Sequence, residues 1–238
     1  MRRSIVLLIF AAGCNLLFPE LDNSSTSDLT SAATDGSTPE IQGQLCALGD
    51  VRDPRTCASG VPSGMHVDVE ETRDSAPVDG TGAFTLPLSQ TLSTATLAAA
   101  DPSGTYLPTV MTVRLTDGRV TGLAVPLVQA SLVASLERSA GVSPDASKGV
   151  FIGWAVDAQG NAQAGAIATL NGAVGPFYEG DSVDQITPAP STGAHGLVAF
   201  FNVPGGSVEL DLLHPNGSRD AFALPVRADA VTLSILLP

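Results

Sequence analysis

From Ile41 onward the chain alternates short two-residue-periodic or apolar runs with clusters of Gly, Pro and Asp, and that rhythm leaves little room for anything but sheets. In the first half, Ile41–Cys46, Met65–Glu70, Ala83–Leu88, Thr94–Ala100, Thr109–Thr116 and Val120–Val128 read as strands. In the second half the strands are Val150–Asp157, Ala166–Leu170, Gly175–Tyr178, Leu197–Asn202, Ser207–Leu213, Ala221–Arg227 and Val231–Leu237. One stretch departs from the pattern. Leu132–Ala140 carries Leu132, Val133 and Leu136 at helical spacing with Gly141 placed to stop it, so a short helix is expected there. Val142–Lys148 follows as a polar linker.

Seven short strands at regular spacing in residues 149–238 suggest a β-sandwich, and residues 41–131 suggest another. A faint repeat links them. Gly82-Ala-Phe-Thr-Leu has the sense of Gly196-Leu-Val-Ala-Phe, and Asp101-Pro-Ser-Gly104 that of His214-Pro-Asn-Gly217, each followed by two final strands. Asp117-Gly118 tolerates the positive φ of a tight primed turn, so Thr109–Thr116 and Val120–Val128 are expected to pair as a half-buried hairpin. Glu179–His195, rich in Pro, Ser, Thr and Gly, is the widest loop.

Charge and cysteine content narrow the function classes. Lys and Arg number 11 against 24 Asp and Glu, which argues against nucleic acid and against anionic lipid headgroups as partners of the protein surface. Of three cysteines, Cys46 and Cys57 enclose a turn-rich loop and are expected to pair in an exported chain, contributing about 3 kcal/mol by loop closure. A thiolate metal site is the alternative, but no His or second cysteine pair completes a tetrahedron at a suggestive spacing.

Export is written at the start of the chain. Arg2 and Arg3 precede the apolar run Ile5–Phe10, and Ala11-Ala12-Gly13 lead to Cys14. This layout resembles the lipobox of bacterial lipoproteins, with Ala11 where that pattern favours Leu. The resemblance implies a signal peptide over residues 1–13, cleavage before Cys14, a lipid on its thiol, and a mature chain with nine basic and 24 acidic residues, net −15. A plain signal peptide cut at an Ala-x-Ala-like site is the other reading. A spanning helix is not, since Ile5–Gly13 falls far short of the roughly 20 apolar residues required. Residues 14–40 then read as the lipidated Cys and a disordered tether, averaging about 30 Å end to end as a flexible coil. The location implied is the cell envelope, the outer membrane ahead of the inner, facing periplasm or cell surface.

Gly153-Trp-Ala-Val-Asp-Ala-Gln-Gly-Asn-Ala-Gln-Ala-Gly165, followed by Gly196-Leu-Val-Ala-Phe-Phe-Asn-Val-Pro-Gly-Gly206, resembles the carboxypeptidase regulatory-like domain. The resemblance implies a seven-stranded, transthyretin-like, Ig-like sandwich with no catalytic residues of its own. The fold class expected is therefore all-β, two tandem sandwiches after a tether, with a short helix and linker over residues 132–148 between them.

Candidate chemistry is sparse. Alternation puts His66, Asp68 and Glu70 on one strand face, where they either approach a divalent ion or form a solvated outer face. His66, His195 and His214 sit in separate segments, and no Gly-x-Ser-x-Gly elbow exists. Asp157 and Asn161 lack the spacing of a calcium loop. Trp154 lies inside a strand and reads as core, whereas Phe177, Tyr178 and His195 flank or sit in the long loop and are the candidate ligand contacts. No enzyme activity and no cofactor are expected. The expected function is adhesion, binding or structural display, with the membrane held through Cys14 and a protein or glycan as ligand. The rivals are a secreted hydrolase or its accessory domain, and a carbohydrate-binding envelope protein.

Overall fold

A computed structural model describes residues 38–58, 60–62 and 64–238. The expected signal peptide, Cys14 and nearly all of the expected tether lie outside these residues. The first half contains β1 Glu40–Leu48, β2 Cys57–Ala58, β3 His66–Val69, β4 Ser75–Pro77, β5 Ala83–Pro87, β6 Thr94–Ala100, β7 Thr109–Arg114 and β8 Arg119–Leu127. Helix α1 spans Ala130–Ala140 and ends on Gly141 at φ 68°, whose N–H and that of Val142 reach the carbonyls of Arg138 and Glu137. The second half contains β9 Gly149–Ala155, β10 Ile167–Leu170, β11 Val174–Glu179, β12 Ile186–Thr187, β13 Leu197–Val203, β14 Gly206–Leu213, β15 Arg219–Val226 and β16 Val231–Leu236.

The two halves share one wiring. In the first, β1 takes β5 antiparallel and β8 parallel, while β3, β6 and β7 form the facing sheet with β4 at its edge. In the second, β9 takes β13 antiparallel and β16 parallel, while β10, β14 and β15 face them. The likeness holds at single bonds. Leu45 N–H donates to Gly82 O at 2.8 Å, and Ala155 N–H donates to Gly196 O at 2.8 Å. The turns at Asp101–Gly104 and His214–Gly217 follow β6 and β14, the same place in each half. The fold is all-β, two tandem sandwiches, as the alternation predicts.

Alternation explains each core. Ile41, Leu45, Phe84 and Leu86 meet Val67, Leu97 and Val113 in the first sandwich. Phe151, Val198 and Phe200 meet Ala168, Leu210, Leu212 and Leu224 in the second. Complete burial of such side chains stabilises by about 1.5–3 kcal/mol each, so the two cores account for most of the driving force.

A seam joins the sandwiches. β16 pairs parallel with β7 (Val231 with Thr109, Thr232 with Val110, Leu233 with Met111), giving a nine-stranded sheet that runs through both halves. The outer faces of β9 and β13, with Val150, Ile152, Trp154, Leu197, Ala199 and Phe201, are buried in the same core as the first sandwich, along with Val51 and with Val133 and Leu136 of α1. Their counterparts by register in the first half are Glu40, Gln42 and Gln44 on β1 and Ala83, Thr85 and Pro87 on β5, none of them buried. One sandwich therefore presents a polar outer face where the other presents an apolar one, and only the second needs a cover.

Two expectations are corrected. Asp117 and Gly118 do form the tight turn, at φ 51° and 74°, with Thr116 and Arg119 exchanging both backbone bonds at 3.0 and 2.9 Å. The hairpin stops there. β7 continues into the large sheet and β8 crosses to β1, because Met111 and Val113 on one strand and Val125 and Leu127 on the other all enter the core between the two layers. The two- and three-residue strands β2, β4 and β12 carry too few residues to show a period and were not expected.

Turns between strands are closed by aspartates. Asp79 accepts from the Thr81 hydroxyl at 2.7 Å, from Thr81 N–H and from Ala83 N–H, in that order of weight, and these bonds hold its carboxyl below the ordinary value. Asn161 N–H at 2.8 Å, then its side-chain amide, does the same for Asp157. At Asp101 burial pushes upward, but bonds from Tyr106, Ser103 and Thr105 together outweigh it. Carboxylates lowered in the folded state contribute stability above their unfolded pKa of about 3.9, and that stability is lost as pH falls through the folded values. Melting temperature should thus be flat above about pH 5 and fall below about pH 4, with a shallower fall in Asp79→Asn and Asp157→Asn. Identical acid limbs in wild type and both variants would contradict this assignment.

Candidate binding cleft at the seam

The disulfide loop builds one wall of the seam. Cys46 and Cys57 are bonded, with Cα atoms 5.2 Å apart, across a turn in which Gly49 N–H donates to Thr56 O at 2.8 Å and Thr56 N–H to Asp53 O at 3.0 Å. Arg52 forks onto Asp50, Nε to Oδ1 at 3.1 Å and Nη2 to Oδ2 at 2.9 Å, and this guanidinium holds the Asp50 carboxyl below its ordinary value. Arg55 Nε donates to Asp53 Oδ1 at 3.0 Å. Val51, fully buried, lies in the core at the seam, and its carbonyl accepts from Trp154 Nε1 at 2.8 Å. Arg52 Nη1 also reaches Asp181 O at 3.3 Å. The indole is thereby held in place.

The long loop supplies the opposite wall. Buried Thr192 pins it, with Oγ1 donating to Gln163 O at 2.7 Å and accepting from Ala166 N–H at 2.9 Å. Glu179 Oε1 accepts His195 N–H at 2.8 Å and lies 3.7 Å from His195 Nδ1. Between the walls is a cleft of about 110 Å³ lined by Arg52, Asp53, Pro54, Arg55, Trp154, Val156, Gly160, Ala162, Ala194, His195 and Ile235. A shallower groove of about 350 Å³ lies elsewhere, beside β15, closed at one side by the Arg227–Glu70 ion pair at 2.7 Å.

Of the residues expected at a site, only His195 lies on the cleft rim. Phe177 and Tyr178 are corrected from exposed contacts to core. β11 runs between β12 and β13, so neighbouring side chains enter opposite cores. Phe177 packs edge-on against Phe201, 5.8 Å between centroids. Tyr178 lies in the second core with Oη accepting Ala168 N–H at 3.3 Å, and burial pushes its phenol above the ordinary value. Trp154 is core, as read. His66 Nε2 sits 3.4 Å from Asp68 on an exposed face, while Glu70 turns away to Arg227. Among the described residues no group of three His, Cys, Asp or Glu is placed to hold a metal ion.

His214 is buried, its ring held between Gln163 Oε1 at 2.6 Å and Asp220 Oδ2 at 2.8 Å, which makes it a turn fastener beneath β14 and β15. The three histidines thus lie apart, each beside its own carboxylate. Sequence reasoning missed Arg52, Asp53 and Arg55. The signal was present in Asp50-Val-Arg-Asp-Pro-Arg55, two acid–base pairs inside a cystine loop.

The wiring and the seam define an all-β protein of two tandem sandwiches. No protein-family model and no curated protein matches the chain. Among solved structures it is similar to the Bacillus anthracis TIE protein, at 14% identity over 84% of this chain and 34% of that one, with a TM-score of 0.27. A streptococcal ancillary pilin gives 10% identity over 84% and 68%, TM-score 0.26. BcpA, the major pilin subunit of Bacillus cereus, gives 10% identity over 74% and 55%, TM-score 0.22. The chain spans about a third of the length of the first of these.

Proposed function

We propose that this chain is a non-enzymatic, lipid-anchored envelope protein whose two sandwiches form one stiff body for adhesion or display. The observation that carries the reading is the seam. β16 is shared with β7, and the apolar outer face of the second sandwich is buried beneath the first. Two sandwiches that served only as beads on a string would keep polar faces and a mobile linker, because an interdomain interface that large and apolar restricts relative motion. Stiffness of this kind suits a spacer or a presented surface.

The anchor is tested in the producing cell. Radiolabelled palmitate should enter the wild-type protein, and Cys14→Ser should abolish both labelling and membrane retention. A Cys14→Ser protein that stays in the membrane fraction would sink the lipid anchor. A carbohydrate-binding reading is favoured by one separate observation, the cleft between the disulfide loop and His195.

A further inference from the structure

We propose that the seam cleft binds a single neutral sugar unit, a reading that specifies the binding role just proposed and rests on it. The floor is apolar, with Ile235 half-buried and Pro54, Val156 and Trp154 buried behind it. The rim is polar and self-neutralised, since Arg55 is paired with Asp53 at 3.0 Å. That pairing leaves groups over. Among the described residues, the two Nη atoms of Arg55, Oδ2 of Asp53 and Nε2 of His195 make no hydrogen bond within the protein and face solvent on the rim, where a ligand can reach them.

A ligand must therefore offer acceptors to the guanidinium and donors to the carboxylate within a few ångströms, while bringing no net charge to a site whose charges already cancel. Hydroxyl groups do both at once. A pyranose ring adds an apolar C–H face to lie on the floor, matching the usual division of small-molecule sites into apolar walls and a few placed polar groups. The cleft, at about 110 Å³, is well below the roughly 300 Å³ at which drug-sized pockets begin, so it seats one face of a single ring and leaves the rest in solvent. The disulfide and the Arg52–Asp50 fork fix the rim before binding, which lowers the entropy lost on association.

Trp154 is the single tryptophan of the chain, so its emission reports on the cleft directly. The full soluble body, disulfide intact, would be titrated with glucose, galactose, mannose and N-acetylglucosamine, with glycerol and glucuronate as comparisons. The expected result is a saturable emission change with at least one neutral sugar, half-complete in the millimolar range. Arg55→Ala and Asp53→Ala should weaken it at least about tenfold, the loss of one charge-assisted hydrogen bond. Arg55→Lys and Asp53→Asn serve as second variants should either alanine change lower the melting temperature. No saturable change with any neutral sugar, an equal response to glycerol, a response to glucuronate alone, or affinities untouched in all four variants would each overturn the proposal. None of these outcomes bears on palmitate labelling, so the anchor and the sugar site fail separately.

Discussion

Trp154→Ala should lower the unfolding free energy by about 3–5 kcal/mol, the range for a large aromatic removed from a packed core. The side chain is 2% exposed and sits where both sandwiches and the disulfide loop meet. Its removal opens a cavity and also strands the Val51 carbonyl, which now accepts from Nε1 at 2.8 Å. Losing that partner in a buried place accounts for about 1–3 kcal/mol of the total. Trp154→Phe keeps most of the apolar surface and loses the bond, so it should cost clearly less than alanine. Urea unfolding followed by far-ultraviolet circular dichroism measures both. If the seam couples the halves as described, the wild type unfolds in one transition and Trp154→Ala broadens or splits it. A change below about 1 kcal/mol would mean that the seam is not a cooperative contact.

The second large effect is paired. Gly82 and Gly196 have φ of +92° and +69°, and an added Cβ would strike the carbonyl oxygen of Leu45 in one case and of Ala155 in the other, nearer than real Cβ atoms come. Backbone strain at such φ costs about 1–3 kcal/mol, and the clash adds to it, since the struck oxygen belongs to a central strand that cannot retreat. Gly82→Ala and Gly196→Ala should each destabilise by roughly 3 kcal/mol or more. Gly104→Ala, at φ +72° with nothing near the new Cβ, should show the strain alone. Chemical denaturation of the three variants provides the comparison. Losses at Gly82 and Gly196 no greater than at Gly104 would show that the close approach is unimportant.

That pair also marks how far the sequence could be read. Strand positions were legible because period-two runs end at Gly, Pro and Asp, and the likeness of Gly82 to Gly196 pointed to two copies of one sandwich. The seam was legible only in part. Val150–Val156 and Leu197–Phe201 are nearly continuous apolar runs, the mark of strands covered on both faces, whereas their counterparts from Glu40 and Ala83 alternate. What covers the second face is a long-range fact that periodicity does not carry. The same limit explains Phe177 and Tyr178. Beside a long polar loop they look presented, and only the placement of β11 within a sheet packed on both sides turns them inward. The cleft was hidden for another reason, because its two walls lie more than 100 residues apart and neither alone has a recognisable motif.

The shared strand β16 has a consequence for how such a chain comes into being. Synthesis delivers the amino terminus first, and every strand of the first sandwich precedes Val231–Leu236 in the chain. Until then the edge of β7 stands open, with unpaired amides and carbonyls of the kind that recruit neighbouring chains. β16 finishes its own sandwich and closes that edge in one step. A product broken off ahead of Val231 would leave that edge of β7 unpaired. The shared strand thereby ties closure of the first sandwich's edge to completion of the second.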